Sequence, residues 1–271
     1  MRSAITVSLV PEVRGGPFVF WDDLAAAGAK ASALGFDALE VFPRSGDELD
    51  VTALRAVLSG NGLSLAALGT GAGWVVHKLR LTDPDAAIRE RACAFIEGIA
   101  RRSGEFGAAT IIGSMQGRID PGVSRTEAMG WLQAGVARIA GTAAKAGSLL
   151  LLEPLNRYET NVLTSVIETA DLVRRMNVSN VKLLCDLFHM NIEEADLGQS
   201  LRQADELVGH VHFADSNRRA IGLGHLDVRP VMAALREIGY DGYLSAEVFP
   251  LPDGDFAAKT TIDSFRQWTA S

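Results

Sequence analysis

Cysteine is nearly absent from this sequence. Cys93 and Cys185 are the only two in 271 residues, and neither belongs to a CxxC pair. That excludes a disulfide framework or a structural zinc knuckle and fits a reducing compartment. Long apolar runs are absent as well. Nothing approaches the ~18 residues of a membrane span. The apolar stretch within residues 1–16 is too short and too interrupted for a signal peptide. A soluble cytoplasmic protein with no membrane partner is expected. Positive charge is in deficit: 26 Lys and Arg stand against 33 Asp and Glu, a formal net charge of −7. A polyanion held by counterion release needs a basic surface, so nucleic acid is not an expected partner. The GxGxxG and GxxxxGKS/T phosphate-binding spacings and the G-x-S-x-G elbow of esterases are missing too. The glycine-rich segment Gly69–Gly73 therefore reads as a tight turn beside a substrate pocket.

What the chain has is an α/β rhythm. Apolar residues make up 48% and charged residues 22%, enough to bury a sizeable core. Short apolar runs recur at Ala4–Leu9, Asp37–Phe42, Leu63–Leu68, Ala109–Gly113, Ser148–Glu153, Val181–Asp186, Val208–Phe213 and Tyr243–Val248. Runs of this length suit strands buried on both faces of a parallel sheet. Helical patterns fall between them, at Pro84–Arg102, Arg125–Lys145, Thr164–Met176, Asp227–Ile238 and Asp255–Thr269. Asp83 before Pro84 reads as an N-cap, and Gly147 and Gly239 read as stops. Eight such units can close into a single (β/α)8 barrel spanning 1–271 as one domain; an open doubly wound sheet is the alternative.

In a closed barrel, function collects at the C-terminal ends of the strands. The last four runs bring Glu153, Asp186, His212 and Glu247 there, spaced 33, 26 and 35 residues apart, about one βα unit each. Three carboxylates and one imidazole aimed into one space call for a divalent cation. This oxygen-rich set suits Mn²⁺ or Mg²⁺, with Co²⁺ or Zn²⁺ behind them. Glu159, His189 and Arg218 lie on loops that must cover this end. Glu40, Asn156 and Arg157, each taken alone, read as surface or helix-capping residues. His210 shares a strand face with His212 and reads as a buried, hydrogen-bonded histidine. His225 reads as a loop residue near the site, and His77 has no assigned place.

The segments EPLNRYE, CDLFHMN, HVHFADSNRRAIGLGHLD and YLSAEVF, with GTGAGWVVHKLRLTDPD and IIGSMQGR before them, resemble the sugar isomerase/epimerase superfamily of xylose isomerase-like TIM barrels. Within it they resemble the D-tagatose, D-psicose and L-ribulose 3-epimerase group, including 5-keto-L-gluconate epimerase-like members. The resemblance implies metal ligands at Glu153, Asp186, His212 and Glu247. It implies paired acid/base carboxylates at Glu153 and Glu247, and substrate contacts at Glu159, His189 and Arg218. The implied activity is epimerisation of a ketose or keto sugar acid at C3 through an enediolate, on a small sugar substrate, in a homodimer or homotetramer. Inversion needs a base on each face of the reacting carbon, and two glutamates on separate strands supply this. Aldose–ketose isomerisation, as in hydroxypyruvate isomerase, would use the same metal set. An apurinic-site endonuclease-like phosphodiesterase would need more histidines. No lysine or arginine cluster forms a phosphate clamp, which points to a free sugar or sugar acid. Arg118 is a candidate partner for a substrate carboxylate.

Overall fold

The computed structural model describes residues 1–270. Eight parallel strands run Arg2–Ser8, Ala38–Phe42, Ser64–Gly69, Ala109–Ile112, Leu150–Leu152, Val181–Asp186, Val208–His212 and Tyr243–Ala246. They are called here the first to eighth barrel strands. Each pairs with the next, and the first pairs with the eighth at Arg2↔Tyr243 through Ile5↔Ala246. The sheet therefore closes into a (β/α)8 barrel, and the open-sheet alternative falls. A two-residue strand, Phe20–Trp21, pairs in parallel with the end of the first strand. Its shortness gives it no periodicity to read in the sequence.

The long helices are Leu24–Leu34, Val51–Asn61, Ala86–Gly104, Arg125–Ala146, Val166–Met176, Arg229–Glu237 and Gly254–Thr269. Local chemistry starts and stops them. Ser124 and Glu127 form a reciprocal capping box, and Gly147 ends the same helix with a left-handed backbone. The helix Ala86–Gly104, which follows the third barrel strand, corrects the expected N-cap. Asp85, not Asp83, accepts from Ala87 N. Asp83 instead accepts from Asp85 N and pairs with Arg80, whose guanidinium also reaches Asp120. Pro84 lies one residue before the cap. Among the described residues no helix is long and apolar enough to cross a membrane.

The period-two alternation of each strand divides the core. In the fifth strand, Leu150 and Leu152 join the layer under the helices. Leu151 points into the barrel, where it packs with Ala67, Ala109, Ile111 and Leu184. In the sixth strand Leu183 and Cys185 face the helices and Leu184 faces inward. One residue pair along, the next inward positions are Glu153 and Asp186.

The seventh strand needs an extra device. Its register against the sixth slips between Leu183↔Val208 and Leu184↔His210, leaving Gly209 as a bulge. The bulge lets Val208 face the helices while His210 and His212 face inward. A Cβ on Gly209 would lie 2.7 Å from Lys182 Cβ and 2.8 Å from a Leu151 methyl, so only glycine fits there.

Candidate active site

Glu153, Asp186, His212 and Glu247 meet at the C-terminal mouth of the barrel, all buried. His212 Nδ1 lies 3.7 Å from Glu153 Oε1, 3.5 Å from Asp186 Oδ2 and 3.7 Å from Glu247 Oε2. One imidazole nitrogen thus faces three carboxylate oxygens. Its other nitrogen, Nε2, lies 3.0 Å from Glu40 Oε1, and His210 Nε2 lies 2.7 Å from Glu40 Oε2. A carboxylate accepts and does not donate, so both Nε2 atoms carry protons toward Glu40. Glu40 comes from the second strand and crosses the barrel interior to reach the seventh. It is a fully buried positioning group and not the surface residue expected from the sequence. A glutamate in the middle of the buried run ALEVF was the available signal, because a buried carboxylate requires a partner. His210 is the buried, hydrogen-bonded histidine expected.

Asp186 divides its oxygens between two tasks. Oδ1 accepts from Phe188 N at 2.8 Å and caps the short helix Leu187–Glu193; Oδ2 faces the cavity. Asp186 Oδ2 and His212 Nδ1 are buried with no hydrogen-bond partner among the described residues. Glu153, Asp186 and His212 each offer a ligand atom within 4.8 Å of the others. Unpartnered polar atoms converging on one point fit a divalent cation that Glu153, Asp186 and His212 could hold, with Glu247 Oε2 3.7 Å from His212 Nδ1 as a fourth donor. The Glu40–His212 pair is the kind of outer hydrogen bond that would fix this imidazole if it held a cation.

The protein alone balances this charge unevenly. Burial pushes the Glu153 carboxyl well up; His212 opposes the shift in part, and Glu247 and Asp186 reinforce it. Burial also raises Glu247, against the pull of Arg218 and His212. Burial would raise Asp186 too, but His189, His212 and Arg218 together hold it below the ordinary carboxylate range. For His212, burial favours the neutral form, yet the Glu40 and Glu247 carboxylates raise it well above an ordinary histidine. These shifts favour the protonated forms of Glu153, Glu247 and His212 at the point where a cation would otherwise offset the carboxylate charge.

Arg218, Glu159 and His189 stand above this floor. Arg218 is presented by the 213–228 loop, which winds around the buried Asp215 carboxylate. Asp215 accepts from Ser216 N, Gly222 N and Leu226 N at 2.7–3.0 Å. Arg218 takes a left-handed φ of 57°, a strained choice for a bulky residue. Its carbonyl accepts from Phe249 N at 2.8 Å, which ties the loop to the end of the eighth strand. The guanidinium pairs with Glu247, lies 3.5 Å from Glu159 and 3.8 Å from Asp186, and packs over the Phe188 ring. Asp215 was not singled out in the sequence; the turn-forming string ADSN was its only signal.

The cavity above the floor measures about 200 Å³. Its ionisable lining comes from the fifth to eighth units: Glu153, Glu159, His189, Arg218 and Glu247. The first to fourth units contribute mainly apolar wall, with Val10, Phe18, Phe42, Val75 and Ile111. The Gly69–Gly73 turn borders the cavity through Gly71, as expected. Asn156 is buried against His189 and Glu159, not at the surface. Arg157 is exposed and pairs with Glu193. Arg118 does not line the cavity; it donates to the Tyr158 carbonyl at 3.3 Å. His225 is exposed on the Arg218 loop, and His77 sits at the surface beside Phe95.

A family model described as the xylose isomerase-like TIM barrel matches residues 28–268. D-psicose 3-epimerase of Agrobacterium fabrum is 34% identical over 240 residues, 86% of this chain and 82% of that protein. L-ribulose 3-epimerase of Methylomonas sp. is 30% identical, covering 87% and 84%. A crystal structure of D-psicose 3-epimerase in the presence of D-fructose superposes with a TM-score of 0.81 at 25% identity, covering all of both chains.

Proposed function

The chain belongs to the xylose isomerase-like TIM barrel family, and from that premise we propose that it is a divalent-metal-dependent carbohydrate epimerase that inverts C3 of a free ketose. The observation that carries this reading is the pair Glu153 and Glu247. They rise from strands separated by two others, and both end within 3.7 Å of His212 Nδ1. Two carboxylates thus approach one small space from different sides. Its relatives by sequence include D-psicose and L-ribulose 3-epimerases.

A proton next to a ketone is weakly acidic, and its removal leaves negative charge on the substrate oxygens. A divalent cation at Glu153, Asp186, His212 and Glu247 would supply Lewis-acid stabilisation of that charge. Mn²⁺ is the first choice for this donor set, with Mg²⁺, Co²⁺ or Zn²⁺ behind it. One glutamate removes the proton, and the other returns one to the opposite face. Glu159, His189 and Arg218 hold substrate oxygens in register. The apolar wall of the first to fourth units takes the distal carbons. Arg218 is the only cationic side chain among the lining residues, and it already faces Glu247, Glu159 and Asp186. A phosphate or carboxylate at the far end would meet no free cation. With Arg118 outside the cavity, a keto sugar acid loses its proposed partner, and the uncharged ketose is favoured. The endonuclease-like alternative, which needs more histidines, gains no support: His189 is the one histidine among the cavity's lining residues, with His212 on the floor.

The test is a panel of D-fructose, D-tagatose, D-allulose and L-ribulose with Mn²⁺, with product stereochemistry assigned by NMR. A C3 epimer is the expected product. An aldose as the main product would move the assignment to an isomerase.

Two variants probe the cavity. Arg218→Ala is expected to lower kcat/KM by about 10²-fold, the scale of losing one preorganised donor, while bound Mn²⁺ stays near the wild-type content. Metal analysis beside kinetics checks this; loss of metal together with activity would assign Arg218 to the cation site instead. Gly113→Ala is expected to displace a carboxylate, because a Cβ there would lie 2.3 Å from Glu153 Oε2. The outcome should be at least a tenfold fall in kcat with a melting temperature close to wild type. Unchanged kcat would contradict the placement of Glu153.

A further inference from the structure

We propose that Asn156 is a positioning residue that keeps the single proton of His189 on Nε2, so that this imidazole meets the substrate as a hydrogen-bond donor to an oxygen. The hydrogen-bond network around Asn156 carries the argument. Its Oδ1 accepts from Tyr158 N at 3.0 Å, which identifies the other end of the amide as the NH₂ group. The two hydrogens of that group point to Glu159 Oε1 at 3.0 Å and to His189 Nδ1 at 2.8 Å. The backbone N–H of Asn156 adds a second donor to the same Nδ1 at 3.3 Å. A ring nitrogen facing two donors presents its lone pair, so the proton resides on the other nitrogen.

That other nitrogen, Nε2, is buried and has no hydrogen-bond partner among the described residues. It points toward the catalytic floor, 3.6 Å from Asp186 Oδ2 and 3.8 Å from Glu153 Oε1. An unpartnered buried donor at the edge of a substrate cavity is satisfied by a ligand oxygen. The two cavity histidines thereby divide their work. His212, bonded through Nε2 to Glu40, turns Nδ1 toward three carboxylates; His189, bonded through Nδ1 to Asn156, turns a proton inward. With no lone pair facing the cavity, His189 cannot take a proton from carbon, which leaves that task to the glutamates. The hydrogen bond it donates strengthens as negative charge develops on the oxygen it meets.

This inference rests on the reading of the cavity as a ketose site, and its test separates the two. Full-length protein labelled with ¹⁵N-histidine is examined by NMR, with the His189 signals assigned by their loss in His189→Gln. Wild type is expected to show the proton on Nε2. In Asn156→Asp a carboxylate accepts where the amide donated, so a proton should appear on Nδ1. The kcat on the ketose should fall on the order of 10²-fold, with bound Mn²⁺ unchanged. Asn156→Ala removes the side-chain donor without adding charge; it should give a mixture of the two tautomers and a smaller loss. If Asn156→Asp does not fold, the alanine variant carries the test. A wild-type proton on Nδ1, or variants that lose activity while His189 keeps the Nε2–H form unmixed, would overturn the proposal. A wild type that converts no ketose would overturn the functional reading and leave the tautomer result standing.

Discussion

Glu153→Gln and Glu247→Gln are each expected to lower kcat by roughly 10²–10⁴-fold at saturating Mn²⁺, the usual worth of a general acid–base group. Glutamine keeps the size and one oxygen donor but removes the basic carboxylate. The motivation is the geometry of two buried carboxylates raised from the fifth and eighth strands toward one space. The sharper readout is isotopic. Because separate groups remove and return the proton, turnover in deuterated water should place deuterium on the inverted carbon. A ketose product that keeps its original hydrogen there would refute the two-base reading and reduce both glutamates to cation ligands.

Exhaustive chelation is expected to abolish turnover, and added Mn²⁺ or Co²⁺ to restore it. Full activity in a verified metal-free sample would end the metal-dependent reading. The same site predicts a pH signature in stability. Glu153 and Glu247 are raised in the metal-free protein, by burial above all. The folded chain therefore holds protons there that the unfolded chain releases above the ordinary glutamate range. Metal-free stability should fall as the pH rises from that range through the raised values. A cation that takes the place of these protons, and of the one on His212, removes the penalty. The rise in melting temperature on adding Mn²⁺ should therefore grow with pH across that window. Thermal melts at a series of pH values check this, and a shift that is constant or shrinks as the pH rises would contradict it.

The composition and the apolar rhythm of the chain determined a great deal. Eight short buried runs separated by amphipathic stretches give the strand count and the parallel order, because burial on both faces requires continuous apolar sequence. The ends of those runs single out Glu153, Asp186, His212 and Glu247 as candidates, and the barrel brings the four together at its mouth. The helix stop at Gly147 is equally legible, since a cap is satisfied within one turn of chain; the start expected at Asp83 lies at Asp85 instead.

What tertiary structure alone decided are the contacts between groups distant in sequence. Glu40 reads as a surface or helix-capping residue until the barrel closes and carries it under His210 and His212, from 170 and 172 residues away. The Gly209 bulge, which frees Val208 to face the helices while both histidines face inward, is a register slip against the sixth strand; a single strand carries no trace of its partner's register. Asn156 and Asp215 belong to polar loop strings that look solvent-exposed. Burial turns one into the partner of His189 and the other into the centre of the loop that aims Arg218. Periodicity and capping are local and so can be read along the chain. A buried polar group finds its partner only when the closed barrel brings separate strands and loops together.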